Sequence, residues 1–268
     1  MARGRSGILR SIGRRLIPEA ARPRLKTLYR ALTWRFYAGD RFECPCCETT
    51  FRRFLDFGRG AHGGSRSNVR CPRCGSLERE RLLWLFLRSR SDLLAPPCRI
   101  LHIAPEPQLE HRLRGLSGVK YVSGDLSSAR ADEVVDIRSM TFADGSFDGV
   151  ICNHVLEHVP EDQQAMREIH RVMAPGGWAI LQVPVDPTRA VTDEDPTITD
   201  RAVRAARFGQ ADHVRIYGRD YATRLTAAGF DVSEEPGPPD LTSNDLDRFR
   251  LRQGDVIYFC RPQPATHR

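Results

Sequence analysis

The chain has 268 residues, enough for one α/β domain of ordinary size and a small accessory module. No window approaches the roughly 18 apolar residues of a membrane span, and arginines interrupt the stretch from Gly7 to Ile17, which excludes a secretory h-region. The net charge of +7 sits in the first 30 residues, where nine basic groups face one acid, while the remaining residues carry 32 basic and 33 acidic groups. A near-neutral body with a basic arm, and no targeting segment, reads as a cytoplasmic protein.

Residues 1–40 form this arm. Ile8, Leu9, Ile12 and Leu16 share one helical face, and Leu25, Leu28, Leu32 and Phe36 another, with arginines opposite. Such a helix could lie peripherally on an anionic membrane, touch RNA phosphates, or pack on its own domain with a solvated arginine face.

Residues 41–76 hold two metal-knuckle pairs, Cys44-Pro-Cys-Cys47 and Cys71-Pro-Arg-Cys74-Gly75, separated by 23 residues. A C-x₂-C pair on a tight turn aims two thiolates at one point, and a second pair completes a tetrahedral Zn²⁺ shell. Cys44, Cys47, Cys71 and Cys74 are therefore the predicted ligands of a structural zinc, with Cys46 spare. Cys98, Cys152 and Cys260 lie in or beside apolar strands as small buried hydrophobes. Phe51, Phe54 and Phe57 alternate with Arg52, Arg53, Arg59, Arg66 and Arg70. That pattern suits either stacking on single-stranded RNA or the core of a small ribbon, and the core reading is preferred.

Residues 77–97 read as a connecting helix from Leu77 to Ser89, capped by Ser76 and apolar nearly all round, ended by Pro96-Pro97. Residues 98–268 then alternate strands with helices: Arg99–Ala104, Val119–Val122, Val134–Ile137, Phe147–Cys152 and Trp178–Val183 as strands, and Glu161–Met173 and Arg219–Ala228 as helices. A polar insert, about 186–218, separates the last of these strands from the second helix. Phe230–Ser233 and Val256–Cys260 are the final strands, the last an antiparallel insertion. The predicted fold is α/β, a parallel sheet wound on both faces. Each burst ends in a small or acidic residue, as where such a sheet binds a nucleotide, yet the first burst lacks the usual glycine loop.

Phe147-Asp-Gly-Val150, Val155-Leu-Glu-His-Val159 and Arg171-Val-Met-Ala-Pro-Gly-Gly177 resemble the class I S-adenosylmethionine-dependent methyltransferases, in the broad type 11-like group. Gly209–Gly218 is similar to a loop of a bacterial subgroup that shares the N-terminal cysteine knuckles. The resemblance implies a Rossmann-like seven-stranded sheet with its last strand antiparallel, and S-adenosylmethionine as cofactor. In the first motif the acid position is His102 and the glycine positions are Ala104, Glu106 and Gln108, so Glu106 would meet the methionyl ammonium from a shifted position. Asp125 would bind the ribose hydroxyls, Asp136 and Ile137 the adenine, and Asn153 would sit beside the sulfonium.

His154 and His213 are the candidate general bases, with His158 the weakest third, needed only if the acceptor is a hydroxyl or protonated nitrogen. The acidic run Thr192-Asp-Glu-Asp-Pro196 falls where this fold builds its acceptor lid, and it suits a small-molecule or glycan-precursor acceptor better than a phosphate backbone. An RNA methyltransferase using the ribbon and arm is the second reading. A zinc-dependent adaptor with a degenerate methyltransferase domain is the third.

Overall fold

The computed structural model describes residues 30–58, 66–127 and 131–263. The arm's helical faces before residue 30, and Arg59, lie outside the described residues. Leu32 and Phe36, expected on one apolar helical face, are exposed, and Trp34–Tyr37 is a 3-10 turn rather than part of a long helix.

Two hairpins follow, β1 (Ala38–Cys44) with β2 (Thr49–Phe51) and β3 (Leu55–Phe57) with β4 (Arg66–Arg70). The first knuckle is the β1–β2 turn, closed by Cys47 and Glu48 N–H groups on the Cys44 carbonyl; the second follows β4. Phe51 and Phe54 are fully buried, with ring centroids 5.5 Å apart edge to face, so they are core and not stacking platforms. Phe57 alone of the three faces outward, beneath Arg66 and Arg70.

α1 (Glu78–Ser89) packs between the hairpins and the main sheet, as its all-round apolarity predicts. Its N-cap is Leu77, whose N–H is held by the Glu80 carboxylate. Ser76, expected in that role, instead places its hydroxyl 3.2 Å from Cys44 Sγ and 3.3 Å from Cys74 Sγ. Arg81, fully buried, donates to the carbonyls of Ser76, Phe249 and Arg250 and so ties α1 to the segment that precedes the last strand.

The main sheet consists of β5 (Cys98–Ile103), β6 (Val119–Asp125), β7 (Glu133–Val134), β8 (Phe147–Asn153), β9 (Met173–Gln182), β12 (Phe230–Glu235) and β13 (Ile257–Pro262). Its order is β12-β13-β9-β8-β5-β6-β7, parallel except for β13, which runs antiparallel to both neighbours. This is the Rossmann-like arrangement, with the last strand inserted. The third predicted strand shrinks to two paired residues, although Val135 and Ile137 beyond it are still buried.

Alternation along the strands supplies two cores. Leu101, Val150, Cys152, Ala179 and Leu181 face α3 (Asp162–Val172) and α5 (Tyr221–Ala227). Ile100, Ile151, Trp178 and Ile180 face α1, α2 (Pro107–Arg114) and the hairpins. Gly149 is required where the Trp178 ring crosses β8: a Cβ there would come within 2.4 Å of the indole. Cys98, Cys152 and Cys260 are buried as expected.

The insert is structured. It holds β10 (Asp193–Glu194), paired with β11 (Arg215–Ile216), and α4 (Arg201–Phe208), capped by Asp200 and ended by a left-handed Gly209. A last short helix, α6 (Ser243–Arg248), precedes β13. Among the described residues, no helix is long and apolar enough to cross a membrane.

Candidate functional site

β5 and β8 lie side by side where the sheet order reverses, the position at which open α/β sheets bind ligands. The residue after each strand, Ala104 at φ 46° and His154 at φ 56°, adopts the left-handed conformation that side chains disfavour. Each keeps its N–H on the neighbouring strand, Ala104 to the Gly124 carbonyl and His154 to that of Gln182, both at 2.7 Å. The kink thus turns the chain away without orphaning a backbone donor. Strain of this kind, about 1–3 kcal/mol each, concentrates at functional sites.

A buried polar chain runs behind the kink. Tyr121 donates its hydroxyl to His102 Nδ1 at 2.9 Å, His102 Nε2 donates to Glu106 Oε2 at 2.9 Å, and Asn153 Nδ2 lies 3.4 Å from the same oxygen. His102 is 0% exposed, so it holds Glu106 rather than reaching a ligand itself. Burial pushes the Glu106 carboxyl up, but the hydrogen bond from His102 leads the influences that outweigh it and hold the group below its ordinary value. Burial pushes the Tyr121 hydroxyl well up, which keeps it a donor. Asn153 Oδ1 is buried with no partner among the described residues. The missing glycine loop is therefore replaced by Ala104 at the turn and by a carboxylate set on the first residue before α2.

Asp125 ends β6, with Oδ1 accepting from the Ser127 N–H at 2.8 Å. Asp136 receives the Arg138 N–H and guanidinium, the closest at 2.8 Å, and Arg138 holds its carboxyl below the ordinary range. Ile137 beside it is buried.

Beyond the switch point lies a cavity of about 640 Å³, walled by α1, the ends of β9 and β12, and the start of β13. Its charged lining is mixed, with Arg66, Arg79, Arg219 and Arg252 against Glu78, Glu234 and Asp255. Arg79, His154 and Gln182 also line a narrow cleft that continues to Glu106 and Asn153, so the two spaces share a wall. Arg79 and Gln182 were not foreseen from sequence; only the position of Gln182 at a strand end pointed to it.

The acidic run lines neither space. Asp193 pairs with Arg189 and Arg207, Glu194 with Arg215 and Arg224, and Asp195 with Arg207. Its charges hold the insert together, which corrects the expectation that they shape the pocket. His154 lines the cavity, with Nδ1 3.2 Å from Glu157 Oε1. His213 is buried on the insert, its Nδ1 3.1 Å from the Phe208 carbonyl, and lines neither space.

The four predicted cysteines come together: Cys44 and Cys74 Sγ lie 3.6 Å apart, as do Cys47 and Cys71, and none is in a disulfide. Metal–sulfur bonds of about 2.3 Å in a tetrahedron place sulfurs about 3.8 Å apart, so the set fits a thiophilic metal. Cys46 is turned away, to the Glu80 carbonyl.

A family model described as a methyltransferase domain matches residues 110–181. The uncharacterized 37.1 kDa protein in transposon TN4556 of Streptomyces fradiae is 31% identical over 111 residues, 37% of this chain and 29% of that protein. The chain thus spans less than a third of that relative's length. Solved structures of similar fold include an S-adenosylmethionine-dependent methyltransferase from Mesorhizobium loti (TM-score 0.46, 16% identity, 67% of this chain and 97% of that one). Another is the 1,6-didemethyltoxoflavin-N1-methyltransferase of Burkholderia thailandensis with bound S-adenosylhomocysteine (TM-score 0.43, 16% identity, 69% and 83%). Residues 110–181 thus match a methyltransferase-domain model, and they lie within a sheet of Rossmann-like strand order.

Proposed function

We propose that this protein is an S-adenosylmethionine-dependent methyltransferase acting on a small-molecule or glycan-type acceptor, with a structural Zn²⁺ on its four cysteines. The observation that carries the reading is the switch point: the left-handed turns after β5 and β8 gather Glu106, Asn153 and His154, and His154 and Gln182 there also line the 640 Å³ cavity. A cavity of that size fits a small acceptor, and its mixed charges suit a polar one.

S-adenosylmethionine supplies an activated methyl carbon for in-line displacement by an acceptor lone pair. The chain's own residues bind and orient. Glu106, kept ionised by His102, would take the methionyl ammonium; Asp125 the ribose hydroxyls; Asp136 and Ile137 the adenine edge and face. Asn153 offers its unpartnered Oδ1 near the reacting centre. His154, at the cavity wall and braced by Glu157, is the group placed to accept an acceptor proton, a role His213 cannot share from its buried position. Four thiolates would fill the zinc shell, leaving no position for substrate.

Titration calorimetry of the full chain with S-adenosylmethionine tests the reading. Saturable binding is expected, and Asp125→Ala and Glu106→Gln should each weaken it at least tenfold, about 1.4 kcal/mol. No saturable binding by the wild type would overturn it in favour of an adaptor. Copurification of ribosomal or transfer RNA through a high-salt wash would overturn the small acceptor.

A further inference from the structure

We infer that Glu157, His158 and His213 form a binding site for a divalent first-row transition-metal cation, distinct from the four cysteines. Glu157 and His158 sit in the 3-10 turn after β8, Leu156–His158, and His213 comes from the insert. One ligand atom from each lies within 4.8 Å of the other two, and the two imidazole rings meet edge to face at 4.8 Å.

Two further observations point to a ligand. Glu157 is 1% exposed and His213 4% exposed, yet Glu157 Oε2 and His213 Nε2 have no hydrogen-bond partner among the described residues. Leaving such groups buried and unsatisfied is costly, and a shared cation would recover that cost. His213 Nδ1 lies 3.1 Å from the Phe208 carbonyl, so the ring proton is fixed on Nδ1 and Nε2 presents a bare lone pair. That is the outer arrangement that orients metal-bound histidines.

Glu157 Oε1 is similarly braced by His154 at 3.2 Å, and the His158 ring by the Asp212 carbonyl at 3.3 Å. Two imidazoles and one carboxylate favour a transition metal over Mg²⁺ or Ca²⁺. The His158 side chain, 33% exposed, opens the site to solvent and leaves room for bound water. The cation would pin the insert to the end of β8, where Val214 N–H already bonds the Glu157 carbonyl at 2.9 Å, directly behind the cavity residue His154. This inference is independent of the methyl-transfer reading.

The test uses the full chain with its thiolates saturated by Zn²⁺, titrated with Co²⁺ as the probe. One equivalent should bind, with visible d–d absorption and no sulfur-to-cobalt charge-transfer band. His158→Ala and His213→Gln should each weaken that binding at least tenfold without changing zinc content. If His213→Gln fails to fold, His158→Ala, at the half-exposed ligand, decides alone. No saturable binding, a thiolate charge-transfer band, or unchanged affinity in His158→Ala would overturn the site and leave an ordinary Glu–His contact.

Discussion

Ala104 stands at φ 46° where related loops place glycine, and two opposing effects set what a substitution there does. A left-handed alanine costs roughly 1–2 kcal/mol, while glycine gives back roughly 0.4–1 kcal/mol through the freer unfolded chain. Ala104→Gly should therefore shift Tm by only a few degrees. Ala104→Val adds a β-branch to the same backbone and should destabilise by at least about 2 kcal/mol in urea unfolding; an unchanged midpoint would mean the turn is not left-handed. Behind it, His102→Leu should remove the strongest influence that lowers the Glu106 carboxyl against its burial, and so shift its protonation upward, toward mildly acidic solution. In the wild type the depressed value keeps the carboxylate ionised through that range. Affinity for S-adenosylmethionine should then be flat between pH 7.5 and 5.5 in the wild type and fall with pH in the variant. Sequence offered Glu106 as the group to carry the charge, because the acid position is His102. It could not show that His102 is sealed from solvent, since that depends on Tyr121 from the neighbouring strand closing over it.

α2 links the cysteine cluster to the switch point. Gln108 Nε2 donates to the Cys74 carbonyl at 3.0 Å and Arg112 Nε to the Cys46 carbonyl at 2.6 Å, so both knuckles grip the helix that begins right after Glu106. Metal on the cysteines would thus brace the loop from Ala104 to Glu106. Removing it by chelation or Cys71→Ser should speed amide exchange across residues 104–114 by at least tenfold and weaken S-adenosylmethionine binding; unchanged exchange there would separate the two sites. The knuckles were legible because two C-x₂-C pairs are a local signature. α2 and α4 were not foreseen, although Pro107 at a helix start and Asp200 and Gly209 at helix ends are recognised signals. Each helix has eight residues, too few for apolar periodicity to stand out, and α4 buries only Phe208.

At the scale of the whole molecule, the sheet order follows from motifs at strand ends, and the paired cores follow from alternation along β5, β8 and β9. The insert is different, because ion pairs rather than apolar burial fix it, and composition alone reads them as a solvated acidic loop. Its anchor is Asp162 at the start of α3, almost fully buried, which meets Arg224 at 2.8 Å, Tyr217 Oη at 2.8 Å and Arg215 at 3.7 Å. Glu194 of β10 bonds the same two arginines, at 2.8 Å and 3.1 Å. Asp162→Asn keeps the shape but removes one of the two carboxylates that face these guanidinium groups, a loss of up to about 3–5 kcal/mol, the cost of breaking a buried pair outright. The pH dependence has a definite sign. Burial pushes the Glu194 carboxyl up, Arg215 and Arg224 pull it down further, and the net folded value lies below the unfolded one. The folded insert therefore binds fewer protons than the unfolded chain, and its stability is full above the unfolded value of about 4.3 and lost as pH falls through the lower folded value. Limited proteolysis with an acid-active protease should cut within residues 186–218 at pH 3.5 and spare them at pH 5.5, and Asp162→Asn should already be cut at pH 5.5. Equal resistance of the variant at both pH values would show that apolar packing, not this network, holds the insert in place.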